Sequence, residues 1–402
     1  MALIRALDAY VPRPDVAGDV VSPPISSIDA ATTEGDAIHP LSFRRVMRPP
    51  EDPQTGEVDD ETLVDSGLWL RDLIEHDVFV HHARPALFVY RLTTDLATTT
   101  GLVADVSVRA LEADRVRRHE DTVADSELTV TRHTRLIGAY GDPVALAHAS
   151  TPDINRAIAR VMDGSQPDLD FEDGDIRQQL WAVTNEPTVD ELLDAYNALE
   201  KIYITDGHHR SAAAARYAAV HRAAGTPGDD HEWFLGALFS EDQVRILEFN
   251  RCVDDTQGID HDEFVRRLGA TFRVEEVSSA DAARPGQRGD LGLRLADRWF
   301  HLRVLPEFVS SDPYDSLDAV ILQDHILAPL LGIDDPRRDE RLRFIGGRDA
   351  FAALAECSIG FALFPTSIQQ VMEIADRGLT MPPKSTWFEP KLRGGIVVRL
   401  LD

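Results

Sequence analysis

The segment KIYITDGHHRSAAAARYAAVHRAAG, residues 201–225, constrains what this chain can fold into more than any other. KIYIT is a short β-branched and aromatic run, the pattern of a buried strand. It leads through Asp206 and Gly207 into an alanine-rich stretch of high helix propensity that ends at Gly225. Such a junction is a place where an anion site is easily built. The first N–H groups of a helix lack partners inside it, and their dipoles favour negative charge. Gly207 lets the backbone come close to a ligand. Asp206 is suited to capping the helix or holding a magnesium ion. Arg210 is suited to clamping a phosphate or carboxylate. His208 and His209 are adjacent and point in different directions, so one is expected to face a ligand while the other packs.

The rest of the chain predicts alternating elements. A helix is expected over Thr62–Asp77 with Leu63, Leu68, Leu70 and Leu73 on its apolar face. PALFVYRL and GLVADVSVRAL read as strands, and Glu112–Thr129 as a polar loop. Helices near 153–162 and 189–199 and a strand near 179–183 precede KIYIT, and EWFLGALF and QVRILEF follow as strands. From about residue 253 a second α+β region is expected, with helices at 261–268 and 316–331 and strands LGLRLA, WFHLRVL and GFALF. The helix SIQQVMEIADR, a loop MPPKSTWFEPK and a last strand GIVVRLL complete it. The expected division is therefore residues 1–252 and 253–402.

Charge restricts the partners. The formal net charge is −28, and no cluster of five or more basic residues occurs. Nucleic-acid binding relies on basic faces that release counterions, so nucleic acid is not an expected partner. No run of about 18 apolar residues predicts a membrane span, and the N-terminus does not read as a signal peptide. Cys252 and Cys357 are too few for a disulfide framework. They read as buried thiols in a reducing cytoplasm.

Of 41 basic residues only Lys201, Lys384 and Lys391 are lysines, and two of these lie in MPPKSTWFEPK. A compact ammonium differs chemically from a planar guanidinium, so these positions point to contact with a phosphate. Lys384, Ser385 and Thr386 form a Lys-Ser-Thr cluster of the kind that holds phosphates in other loops. The spacing of glycines needed for a Walker A loop is absent. In RRHEDT, Glu120 is a candidate general base or metal ligand beside His119. The same loop also reads as a solvated charged surface.

VVSPPIS, HPLSFRRV, PALFVYRL, RRHEDT, YITDGHHRSAAA and MPPKSTWFEPKLRGGIV occur together and in order, from about Val20 to Val398. In this the chain resembles the bacterial and archaeal family called domain of unknown function 1015. Its DGHHR box is similar to the Asp-Gly-His-Thr-Arg box of free serine kinases, in the fold superfamily of ParB and sulfiredoxin. The resemblance implies an α+β (mixed α/β) fold with a ParB/sulfiredoxin-like nucleotide-binding core and an additional α+β C-terminal region. It further implies phosphoryl transfer from ATP or ADP to a small hydroxyl compound, with free L-serine the leading candidate and Mg2+ as cofactor.

On that reading Gly207, Arg210, Lys384, Ser385, Thr386 and Lys391 hold phosphates. Glu120, Asp206, His208 and His209 do the chemistry, with Asp206 as the metal ligand and His119 and Arg251 as further candidates. Lys384 and Glu120 are expected to converge on the DGHHR turn. Two departures stand out. Pro23-Pro24-Ile25-Ser26 replaces the family's usual Pro-Pro-Tyr-Asp, and Asn250-Arg251 replaces His-Arg. The rival readings are a metal-dependent hydrolase with Asp206, His208 and His209 as ligands, and a nucleotide-binding protein without catalysis.

Overall fold

The structure is a computed structural model, and it describes residues 1–24, 39–52 and 55–401. Ile25 and Ser26, where the sequence departs from the family pattern, lie outside the described residues. The fold is α+β and divides into two units, Met1–Val244 with Pro390–Asp402, and Arg245–Glu389. The boundary falls at 244/245 rather than at the expected 252/253. Here the last segment belongs to the first unit. Arg399–Leu400 pairs antiparallel with Ala139–Tyr140, and Val398 bridges Tyr10.

The first unit is built on a nine-stranded mixed sheet. Its strands are β1 (Ile4–Arg5), β2 (Leu87–Thr93), β3 (Thr98–Ser107), β4 (Val116–Arg117), β5 (Val144–His148), β6 (Leu169–Asp173), β7 (Ile176–Val183), β8 (Ile202–Asp206) and β9 (Trp233–Ser240). They run in the order β4-β8-β5-β9-β3-β2-β7-β6, with β1 paired to β3. Parallel pairs β4/β8 and β5/β9 sit among antiparallel neighbours. Both faces are buried, as alternation along β2 shows. Leu87 and Val89 enter one core with Leu102, Ala104 and Leu146, while Phe88, Tyr90 and Leu92 enter another with Val103 and Ala237.

The longer helices described in this unit are α1 (Asp60–Glu75), α2 (Ala124–Ile137), α3 (Pro152–Gly164), α4 (Glu186–Asn197) and α5 (His208–Ala224). Side chains of Asp59, Thr151 and Asn185 cap α1, α3 and α4. In α1, Leu63, Leu70 and Leu73 are buried, but Leu68 is exposed, contrary to expectation. Of the expected loop at 112–129, residues 118–123 have no regular structure, while 116–117 form β4 and 124–129 begin α2. Only Thr134 and Ile137 of α2 are buried, so its stripe is too narrow to announce a helix. The strand read through GLVADVSVRAL ends at Ser107, whose hydroxyl accepts from the Ala110 N–H and starts a helical turn.

The second unit carries a six-stranded, wholly antiparallel sheet. Its strands are β10 (Phe249–Val253), β11 (Phe272–Val277), β12 (Asp290–Leu295), β13 (Arg298–Val304), β14 (Leu342–Gly346) and β15 (Ile359–Leu363). They run in the order β11-β13-β12-β15-β10-β14. The expected helix at 316–331 is broken into Asp318–Leu322, a π-helical turn Gln323–Leu327, and Ala328–Leu331. Pro329 accounts for the break, because its ring displaces the carbonyl one turn earlier and it has no N–H to donate. Part of the MPPKSTWFEPK loop is a short strand, Trp387–Glu389, paired with Arg245–Leu247.

Cys252 and Cys357 are joined in a disulfide, with Cα atoms 5.5 Å apart. The reading of two separate thiols is thus corrected, and the argument from them for a reducing compartment lapses. Two residues 105 positions apart can be recognised as partners only after β10 and β15 lie side by side. No described helix is long and apolar enough to cross a membrane.

Candidate functional site

β8 delivers Asp206 to the end of the sheet, and Gly207 turns the chain into α5 with a left-handed φ of 95°. A Cβ at this position would lie 3.0 Å from the Arg210 guanidinium, which folds back over the glycine. Asp206 does not cap the helix. Its Oδ1 accepts from the Gly207 N–H at 3.0 Å, and among the described residues no side chain caps the first turn of α5. The first-turn amides of a 17-residue helix therefore remain available to an anion.

Two cations flank Asp206. Lys391 Nζ lies 3.5 Å from its Oδ2, and Arg210 Nη2 lies 3.7 Å from the same oxygen. Burial pushes the Asp206 carboxyl up, but Lys391 and then Arg210 outweigh it, so the group sits below the usual carboxylate range and stays ionised. Arg210 is anchored elsewhere as well. Its Nη1 is 2.6 Å from Asp142 Oδ1 and donates to the Pro143 carbonyl at 2.6 Å. Burial raises the Asp142 carboxyl in spite of Arg210. Sequence reasoning missed Asp142; its only local signal is the turn sequence Gly141-Asp142-Pro143.

The two histidines diverge. His208 is buried, with its Nδ1 3.8 Å from Glu120 Oε2 and its ring edge-on to His119 at 4.5 Å between centroids. Its Nε2 is buried without a hydrogen-bond partner among the described residues. His209 Nε2 accepts from the Val123 N–H at 3.3 Å, pinning the start of α2. Glu127 of α2 accepts from Thr122 and pairs with Arg216 of α5 at 3.0 Å, which holds the RRHEDT segment beside the turn. Glu120, Asp206, His208, Arg210 and Lys391 are thus brought together within the first unit. Lys384, Ser385, Thr386 and Arg251 belong to the second unit. There Lys384 is exposed with a φ of 51°, while Ser385 is buried and its hydroxyl donates to the Pro382 carbonyl.

Burial pushes His119 down to about 4, against its hydrogen bond to the Ile204 carbonyl and the field of Asp206. Burial, then the neighbouring His119, His209, Arg118 and Arg210, hold His208 well below the ordinary histidine value. Both imidazoles are therefore neutral at pH 7. A folded-state pKa below the unfolded one means that the unfolded chain binds more protons between pH 6.5 and 4. Stability is then full above that window and is lost as pH falls through it. His119 alone is expected to contribute a loss on the order of 3 kcal/mol. Melting temperatures measured from pH 7 to 4.5 should fall, and His119→Phe should flatten the slope. An identical slope in that variant refutes the assignment.

A family model described as "Protein of unknown function (DUF1015)" matches residues 4–320. No curated protein matches the chain. Among solved structures, a variant free serine kinase in complex with ADP is similar at 15% identity and a TM-score of 0.37, covering 74% of this chain and 92% of that one. SbnI with a C-terminal truncation, from Staphylococcus aureus, aligns at 10% identity and a TM-score of 0.38, over 72% and 84%. A conserved hypothetical protein from Pyrococcus furiosus aligns at 15% and 0.34, over 71% and 90%.

Proposed function

The chain belongs to the DUF1015 family, and from that premise and the geometry of its DGHHR turn we propose that it is a nucleotide-dependent phosphotransferase acting on a small hydroxyl compound. The observation that carries this reading is the junction itself. An uncapped helix start, an ionised carboxylate and two cations meet at Asp206–Arg210. The free amides and Lys391 supply positive charge where phosphate oxygens would lie, and such preorganised charge is the main source of rate in phosphoryl transfer. The phosphoryl group leaves the bridging oxygen of ATP or ADP and bonds to the acceptor oxygen. The acceptor's proton passes to Glu120, a half-exposed carboxylate beside His208. His208, neutral and donor-capable, orients the transferred group.

Asp206 is a hard, ionised oxygen donor and fits Mg2+, which characteristically takes one or two carboxylates plus substrate phosphates. When bound, the ion would neutralise phosphate charge. Free L-serine is the acceptor this reading favours first.

Nucleotide with Mg2+ should raise the melting temperature, by the equivalent of about 2.7 kcal/mol at a hundredfold excess over Kd. Phosphate transfer to a panel of amino acids and sugars then identifies the acceptor. Lys391→Ala should lower the transfer rate by about 10²-fold, measured at a temperature where the variant is folded. Neither stabilisation nor transfer with any nucleotide would sink the proposal.

A second reading has its own observation. Ligand atoms of His119, Glu120 and His208 lie within 4.8 Å of one another, a two-histidine, one-carboxylate set that suits zinc in a metal-dependent hydrolase. The ligand set expected from sequence, Asp206 with His208 and His209, differs from this cluster because His209 turns to Val123. Stoichiometric zinc in the purified protein with no nucleotide response would favour this alternative.

A further inference from the structure

The second unit holds a half-open cavity of about 350 Å³ lined wholly by its own residues. Arg251 lines it while being only 3% exposed, whereas Asp315, Asp324, Asp335 and Arg337 line it as exposed residues. The guanidinium therefore marks the closed end and the carboxylates the mouth. Among the described residues Arg251 has no carboxylate partner. Its Nη1 donates to the Phe249 carbonyl at 2.7 Å and approaches that of Asn250, and its Nη2 donates to the Pro383 carbonyl at 3.2 Å. Its plane is fixed against Phe344, with the ring centroid 4.5 Å away.

Five N–H donors in a planar fork are more than these carbonyls use, and the Nε edge with one Nη2 hydrogen is left over. A buried charge without a counter-charge is costly, and burial accordingly pushes this guanidinium down to about 9. The π-helical turn Gln323–Leu327 borders the same cavity. Gln323 Nε2 donates to the Ile333 carbonyl at 2.8 Å, while its Oε1 is buried with no hydrogen-bond partner among the described residues. An unneutralised donor fork and an unsatisfied acceptor at one cavity are complementary to one kind of ligand.

We propose that this cavity binds a small monocarboxylate bearing a hydrogen-bond donor next to the carboxylate, with the carboxylate on the Nε/Nη2 edge of Arg251 and the donor directed to Gln323. A single negative charge is specified by the lining. Three carboxylates already face two guanidiniums, so a dicarboxylate or polyphosphate would bring its extra charge against Asp315, Asp324 and Asp335. The donor can be the hydroxyl of a 2-hydroxy acid or the ammonium of an amino acid.

The test is calorimetric titration of the full chain with 2-hydroxy acids, amino acids, their primary amides, dicarboxylates and inorganic phosphate. Saturable binding of a hydroxy or amino acid is expected, at least tenfold weaker for its amide, because the amide removes the charge that pairs with Arg251. Preference for an amino acid identifies the ammonium as the donor, and preference for a hydroxy acid identifies the hydroxyl. Arg251→Met should weaken binding by at least about tenfold. That variant replaces an unpaired buried charge with an apolar chain of similar reach, so its melting temperature should hold or rise. Equal binding by Arg251→Met, equal binding of the amide, tighter binding of phosphate or dicarboxylates, or no binding at about 10 mM (weaker than about −2.7 kcal/mol) overturns the proposal. It is independent of the phosphotransfer reading. Carboxylate binding without any nucleotide response leaves it standing and removes the other.

Discussion

Arg210→Ala is expected to destabilise the protein by about 3–5 kcal/mol, the usual cost of stranding one member of a buried ion pair. From sequence alone this substitution is expected to weaken nucleotide binding and leave the fold intact. The structure changes that expectation, because the guanidinium is committed to Asp142, to the Pro143 carbonyl and to Asp206. Both side chains of the Arg210–Asp142 pair are at most a quarter exposed, so solvent does little to rescue the survivor. Denaturant unfolding at pH 7 measures the loss. Arg210→Met combined with Asp142→Asn should recover most of it, since no charge is then left unpaired. An Arg210→Ala protein as stable as the parent, losing only nucleotide affinity, would return Arg210 to the role of phosphate clamp.

The second large effect lies away from the turn. Asp105 of β3 is fully buried and sits 3.0 Å from Arg5 Nε and 3.1 Å from Arg399 Nε. Burial raises its carboxyl, with Arg399 and Arg5 pulling the other way. Asp105→Ala should cost about 3–5 kcal/mol and lower the melting temperature by roughly 10 °C. Arg5 keeps Asp229 and Asp230 at 3.0 and 2.6 Å, but Arg399 is 4% exposed and retains only the distant edge of Asp230 at 3.4 Å. Arg399 also donates to the Trp233 and Asp230 carbonyls, tying the C-terminal segment to the sheet. That segment should therefore become sensitive to limited proteolysis in the variant. Unfolding at the parent temperature with an intact C-terminus would show that the network contributes nothing.

Most regular elements were legible because their signals are local. The turn at Gly207, the alanine-rich helix ending at Gly225, and helix 261–268 capped by Asp260 each follow from a few consecutive residues. Where reading failed, tertiary packing set the answer. Helix α2 has a narrow buried stripe because it leans on α1 and α5 rather than on the sheet core. Leu68 is exposed although its spacing fits a buried face. The break at 323–327 is the exception, since Pro329 is a local signal that the sequence itself carries.

The opening segment shows both limits. By itself the sequence determined that residues 202–224 run from a buried strand through a left-handed glycine into a helix, since propensity and φ preference act within a few residues. Only the tertiary structure decided which charges meet there. Lys391 and Asp142 reach Asp206 and Arg210 from distant parts of the chain, and Cys252 reaches Cys357 in the same way. Coulomb attraction and sulfur pairing depend on distance in space, and a linear pattern carries no record of that distance.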